Sequence, residues 1–121
     1  MRFLDDLVVA MEYSLEIKSL FDSRYPMGHR ICKHLRINNE YSLSVQASEL
    51  HYCTPRALVP LDQYTHFEMA IIFKGQITYD ISILKEFDRY IELVEHFDGN
   101  VLHNVPKDLV EDLYVWWLEN A

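Results

Sequence analysis

The stretch His66–Ile81, HFEMAIIFKGQITYDI, determines how the rest of the chain is arranged. Two apolar, β-favouring runs, His66–Phe73 and Gln76–Ile81, are separated by Lys74-Gly75. A glycine in a two-residue connection takes the positive φ that a tight hairpin requires. The sequence therefore predicts a β-hairpin, whose place in the sheet, central or at the edge, is left open.

A third strand is predicted before the hairpin. From Tyr41 to Ser48, apolar and polar side chains alternate, which is the period of a half-buried strand with one wet side. The alternation slips near Glu49, where we expect a bulge or a strand break. Thr54-Pro55-Arg56 and Val59-Pro60 then predict a loop, because proline fixes φ and has no N–H to donate to a ladder.

Apolar spacing predicts helices on both sides of these strands. One helix is expected over about residues 2–22. The pattern over Arg30–Ile37 fits either a short helix or a loop, and we interpret it as a short helix. Ser82 suits the cap of a later helix that ends at Asp98-Gly99, and Pro106 suits the first turn of a last helix. The apolar stripes of the long helices are Leu4, Leu7, Val8, Met11 and Leu15; Ile83, Phe87, Tyr90, Ile91 and Val94; and Leu109, Val110, Leu113, Trp116 and Trp117.

These elements predict one α+β domain that spans residues 1–121. A length of 121 residues is typical of a single domain, and no polar linker divides the chain. The simplest arrangement that buries every stripe is a three-stranded antiparallel sheet with helices packed on one face. It comprises an N-terminal helix, a β-hairpin core and two C-terminal helices.

Cysteine usage and hydropathy indicate where the protein works. Cys32 and Cys53 can close at most one disulfide, which argues against a secreted, disulfide-built scaffold. In the first stretch, Asp5 and Asp6 interrupt the apolar residues well before the roughly 20 that a membrane span needs. We therefore expect a cytoplasmic protein that does not interact with membranes.

The net charge of −8 is concentrated in one half of the chain. Residues 1–60 hold 7 basic and 7 acidic side chains, whereas residues 61–121 hold 4 basic and 12 acidic ones. A negative field repels nucleic-acid phosphates and anionic lipid, and it favours encounter with a basic surface. The sequence therefore predicts a protein partner with a basic surface and no direct nucleic-acid binding.

Two groups of carboxylates are the candidate partner-binding residues. On ordinary surface composition, each group alone is more often structural, since acids complement a helix start and maintain solubility. Their coincidence in the acidic half favours a joint role, with partly exposed aromatic side chains holding the complex. The predicted site consists of Asp88, Glu92 and Glu95 on the penultimate helix, and Asp108, Glu111 and Asp112 on the last.

Histidine and cysteine residues offer the alternative of a metal- or thiol-dependent enzyme. His29, Cys32 and His34 lie close together in the sequence, and His51 and Cys53 are two residues apart. The chain lacks the paired Cys-x-x-Cys or His-x-x-x-His spacings of strong metal sites, and no glycine-rich elbow surrounds Cys53. We therefore expect no catalytic residue, no metal and no cofactor.

The chain also resembles a population of small phage and prophage proteins. The resemblance rests on SVQASELHYCTPR (residues 44–56), HFEMAIIF (residues 66–73) and ILKEFDRYIELVEHF (residues 83–97). That population includes anti-CRISPR proteins and other inhibitors of host defence. The resemblance implies a stoichiometric inhibitor without catalytic residues, which docks by an acidic surface on the basic nucleic-acid groove of a defence complex.

The sequence thus favours a small acidic inhibitor that occupies a basic, nucleic-acid-binding surface of a partner protein. The small enzyme built on the histidines and cysteines remains the alternative. A homodimer that forms through an edge strand or through Trp117 is a further possibility.

Overall fold

The computed structural model describes residues 1–13 and 29–121, and over these ranges the chain is an α+β protein. The expected class is confirmed, but the three-stranded sheet is wrong, because the described residues form seven strands in two sheets with three α-helices. In chain order the elements are α1 (Arg2–Asp6), β1 (Val9–Tyr13), β2 (His29–Cys32), β3 (Leu35–Arg36), β4 (Tyr41–Gln46), β5 (His66–Phe73), β6 (Gln76–Thr78), α2 (Tyr90–Val94), β7 (Leu102–Pro106) and α3 (Lys107–Asn120). Short 3-10 turns occupy Leu61–Gln63 and Ile81–Leu84.

Strand β5 organises the larger sheet. Along one edge it pairs antiparallel with the whole of β4, from Tyr41↔Phe73 to Gln46↔Glu68. Its other edge is shared between β6 at the C-terminal half and β7 at the N-terminal half. The predicted hairpin is confirmed, and its turn has φ values of 49° at Lys74 and 82° at Gly75, the positive values that the glycine indicated.

The polar side of β4 is covered rather than wet. Ser44, Gln46 and Ser48 are all buried, because strand β2 lies across that side of the sheet. The Gln46 side chain bonds both backbone groups of Cys32: its Oε1 accepts from the N–H at 2.8 Å, and its Nε2 donates to the carbonyl at 2.9 Å. The Gln46 side chain therefore links the backbone of β2 to the large sheet in place of strand pairing.

The N-terminal region contains strands where helices were expected. The predicted helix over residues 2–22 is limited to α1, and β1 follows in its place, while the remainder of that prediction lies outside the described residues. β1 and β2 form the two-stranded sheet, with Met11 opposite Ile31. The short helix expected at Arg30–Ile37 is also wrong, because β2 and β3 occupy it. Pairing partners far away in the sequence outweigh the local helical spacing here.

The segment from Asp80 to Phe97 is a series of helical turns and not one long helix. Most of its backbone bonds join residues three apart, as from the Phe87 N–H to the Leu84 carbonyl at 2.9 Å. Side chains three apart line up in such turns. The stripe that faces inward accordingly has a period of three: Ile81, Leu84, Phe87, Tyr90, Leu93 and His96 are buried or half-buried.

This period changes which side chains of the segment reach the core. Leu93 is fully buried, whereas Ile91 and Val94, which the helical spacing had assigned to the buried stripe, are exposed. Asp80 provides the first cap instead of Ser82, since its carboxylate accepts from the Ser82 N–H at 3.1 Å. The end of the segment was predicted correctly at Gly99, whose φ is 100°.

Strand β7 was not expected, but the last helix was. α3 begins at Lys107, directly after Pro106, close to the predicted start. Leu109, Val110 and Leu113 face the main core cluster, which they share with the inner side chains of β4 and β5. Within residues 1–13 and 29–121, no helix combines the length and apolarity required to cross a bilayer.

A buried arginine fastens the loop between β4 and β5. The Arg30 side chain is 5% exposed. Its guanidinium donates to the Val59 carbonyl at 2.8 Å, the Ala47 carbonyl at 3.2 Å and the Tyr64 hydroxyl at 3.4 Å. The same hydroxyl donates to the Ala57 carbonyl and accepts from the Val59 N–H at 3.1 Å. One cation thus joins β2, the end of β4 and the loop.

Candidate functional site

An open groove lies between the turn that precedes α2 and the outer side of α3. Its volume is about 440 Å³. We call it the acidic groove, and it is lined by Phe87, Asp88, Arg89, Glu111, Asp112, Val115, Trp116 and Glu119. Four of these side chains are carboxylates and one is cationic, so the lining is negative at neutral pH. Three of the predicted partner-binding residues, Asp88, Glu111 and Asp112, belong to it.

Arg89 lies at the centre of the carboxylates. Its Nη1 is 2.6 Å from Asp112 Oδ2 and 3.1 Å from Asp108 Oδ2, and its Nε donates to Glu92 Oε1 at 3.2 Å. The hydrogen bonds that Arg89 donates to Glu92, and then to Asp112, raise the pKa of the guanidinium above its usual range. One guanidinium therefore holds carboxylates of α2 and α3 together and compensates a single unit of their charge.

Glu111 has a structural role at the edge of the acidic groove. Its two carboxylate oxygens accept from the backbone N–H groups of Arg2 at 2.9 Å and Phe3 at 3.0 Å. The first N–H groups of a helix lack partners within the helix, and a carboxylate there also complements the helix dipole. Glu111 therefore caps α1 and anchors it on α3.

The six predicted residues are thus brought together only in part. Asp88, Glu92, Asp108, Glu111 and Asp112 surround Arg89 or line the acidic groove. Glu95 is exposed at the other end of α2. Sequence reasoning missed Arg89, although an arginine three residues before Glu92 is a signal for a helical ion pair.

Aromatic side chains form the apolar part of the acidic groove. Trp116 and Phe87 lie with their ring centroids 5.3 Å apart. Trp117 points elsewhere, is buried, and packs against Tyr41 at 5.6 Å between centroids. Adjacent residues on a helix point about 100° apart, so the two tryptophans, both assigned to the apolar stripe by the sequence, diverge.

The histidine and cysteine residues do not form a metal centre in the part of the chain that is described. No group of three or more His, Cys, Asp or Glu side chains within it has the geometry to hold an ion. Cys32 is buried beside Gln46, and His34 is exposed after β2. Cys53 is buried in the main core cluster.

The thiol of Cys53 lacks the surroundings of a nucleophile. Its Sγ donates to the Ser48 carbonyl at 3.2 Å, and burial raises the pKa of the thiol. A reactive cysteine needs a lowered pKa and some access to solvent. Ser48, whose Oγ is 2.7 Å from His51 Nδ1, is fully buried, and its hydroxyl also accepts from the Leu50 N–H. These hydrogen bonds join Ser48, Leu50, His51 and Cys53 into one turn.

We expect His51 to be neutral at pH 7 and to make folding sensitive to mild acid. Burial lowers the pKa of its imidazole, with a smaller opposing effect from Glu68. An unfolded histidine takes up a proton near pH 6.5, before the folded one does, so the free energy of unfolding falls as pH decreases below about 6.5. Urea unfolding at about pH 7.5 and about pH 5.5 measures the change, and NMR titration of the ring protons gives the folded pKa directly.

Two histidine variants provide the control for this prediction. His51→Gln is expected to reduce the loss of stability between the two pH values, whereas His34→Gln, at an exposed position, retains the full loss. A folded His51 that titrates above pH 6.5, or equal pH dependence in the two variants, would contradict the assignment.

Comparisons with known proteins add no relative. No family model matches the chain, and neither a curated protein nor a solved structure does.

Proposed function

We propose that this chain is a small acidic protein-binding domain that acts as a stoichiometric inhibitor. Its target is a partner protein with a basic, nucleic-acid-binding surface, and inhibition is by occupation of that surface. The observation that carries the proposal is the convergence of Glu92, Asp108 and Asp112 around Arg89, beside a groove that is lined by Asp88 and by an aromatic wall.

The electrostatics of the acidic groove support a basic partner. Carboxylates exceed cations in its lining, and all the excess acid of the sequence lies in the half that forms it. A field of this sign accelerates encounter with a basic surface and rejects acidic ones. Direct binding of nucleic acid is disfavoured for the same reason.

Arg89 supports the proposal by fixing the carboxylates in position. A side chain that is already held loses less conformational freedom when a partner binds. Three carboxylates share the donors of one guanidinium, and each retains lone pairs for a further donor. Lysine or arginine side chains of a partner supply such donors, and the flat face of the half-buried Trp116 suits their apolar stems.

The proposal includes an anti-defence role of the kind carried by phage inhibitors. A mimic of nucleic-acid charge competes with the substrate of a defence complex without any chemistry of its own. The corresponding compartment is the cytoplasm, where free thiols such as those of Cys32 and Cys53 persist.

Charge reversal at Asp88, in the lining of the acidic groove, and at Asp108, which pairs with Arg89, is expected to weaken binding to a basic probe. The probe is a fluorescent peptide rich in lysine and arginine, and the measurement is anisotropy at about 50 mM and about 200 mM NaCl. Asp88→Lys with Asp108→Lys should lower affinity at least about tenfold at low salt and much less at high salt. In the same assay the native protein should displace a DNA oligonucleotide from the peptide.

The matched control carries the same change of net charge elsewhere. Glu40→Lys with Asp62→Lys alters two exposed carboxylates outside the acidic groove. This variant should retain most of the affinity. Equal losses of affinity in both variants would mean that binding depends on net charge alone and not on the acidic groove. An affinity that does not change with salt would overturn the proposed mechanism.

A further inference from the structure

An exposed apolar strip lies along the outer side of the helical segment that contains α2. Ile91 is 79% exposed, the highest value among the large hydrophobic residues in the described ranges, and Val94 is 36% exposed. Because the segment repeats every three residues, Ile91 and Val94 share one side with Asp88. The core-facing role in α2 is filled by Leu93, which is fully buried.

Carboxylates border this strip. Asp88 precedes Ile91 by three positions and Glu95 follows it by four, and both are exposed. Residues three and four apart on a helix are neighbours on its surface. An apolar centre inside a polar rim is the general anatomy of a protein interface, and exclusion of water there strengthens the surrounding charge pairs.

We propose that Ile91 and Val94 form the apolar anchor of the acidic surface and that their occupant is a basic protein segment with an aliphatic side chain among its lysines and arginines. This inference rests on the proposed function, and it adds an apolar contact to the charge attraction. It makes the partner an amphipathic basic segment, and it assigns Glu95, which lies away from the acidic groove, to the rim of the anchor.

Charge complementarity decides between this occupant and a second copy of the chain. A two-fold interface places the same surface on both subunits. Two copies joined at Ile91 would bring the carboxylates of Asp88 and Glu95 close to those of the second copy, and like charges at an interface are costly. A basic segment instead gives each carboxylate an opposite charge.

Two peptides and two variants test the anchor. The first peptide is a basic amphipathic sequence with leucines among lysines, and the second is the same sequence with serine in place of leucine. The native protein should bind the leucine peptide at least about tenfold more tightly, because an aliphatic side chain is buried. Ile91→Ser should abolish that preference and retain the salt dependence, whereas Ile77→Ser, at an exposed position on β6, should leave both unchanged.

The outcomes separate the anchor from the proposed function. If Ile91→Ser keeps the preference for the leucine peptide while binding stays salt-dependent, the anchor is wrong and the acidic inhibitor stands. If neither peptide binds, the proposed function fails and the anchor fails with it. Light scattering that finds a dimer of the native chain and a monomer of Ile91→Ser would assign the strip to a second copy and overturn the inference.

Discussion

Replacement of Arg30 by methionine is expected to lower the free energy of unfolding by about 3 kcal/mol. Methionine fills a similar length but donates no hydrogen bond. The carbonyls of Ala47 and Val59 would lose the guanidinium that they now accept from at 3.2 and 2.8 Å. A buried acceptor without a partner carries a desolvation cost of about 1 to 3 kcal/mol. Urea unfolding, with the midpoint and slope fitted together, measures the loss.

Arg36→Met is the matched control for this prediction. Arg36 lies on β3 and is exposed, and its described hydrogen bonds go to the neighbouring turn, to the carbonyl of Asn38 and the side chain of Asn39. Its replacement should change stability by no more than about 0.5 kcal/mol. Arg30→Lys separates charge from geometry, since an ammonium lacks the planar fork that reaches several acceptors at once. Native-like stability in Arg30→Met would mean that the three acceptors find other donors.

Arg30 also illustrates why part of the fold could not be predicted from the sequence. Its acceptors lie 17, 29 and 34 positions away in the chain, and no local pattern announces them. The same holds for β1, whose residues fit a helical spacing when they are considered alone, and for β2, which lies in a segment that is open between a short helix and a loop. Sheet pairing between distant segments is decided by tertiary context.

Elements with strong local signals were predicted well. The hairpin followed from a single turn dipeptide, Lys74-Gly75, between two β-favouring runs, and α3 followed from proline at its start and a regular apolar stripe. The prediction of one long helix from Ser82 to Asp98 was wrong for a definable reason. The sequence of this segment supports a 3.6-residue stripe through Ile91 as well as a three-residue stripe through Leu93, and the structure follows the second.

The candidate site shows the same division. The carboxylates at the start of α3 were identifiable because acids in a first turn are a local feature. Their convergence with Glu92 depends on Arg89, which spans two helices that are joined through β7. The exposure of Ile91 follows from the period of the turns and was therefore missed together with that period.

Phe67→Ala is expected to be as damaging as the loss of Arg30, at about 3 to 5 kcal/mol. Phe67 is fully buried on β5, and its ring lies 5.3 Å from Phe3, edge to face, and 5.7 Å from Tyr64. Truncation to alanine leaves a cavity where α1, the loop and the sheet meet. Close-packed neighbours relax only in part into such a space, so lost contacts add to the lost burial.

The position of Phe67 ties this prediction to the acidic groove. Phe3, which packs against it, donates its N–H to Glu111, so a looser core releases the cap that holds α1 on α3. Phe73→Ala on the same strand is the control, because Phe73 is only half-buried and lies beside Tyr41 at 4.9 Å. It should cost about 1 to 2 kcal/mol in the same urea experiment. If the two substitutions lowered the free energy of unfolding equally, the core would not be centred where α1 meets β5. The acidic groove would then be supported by α3 alone.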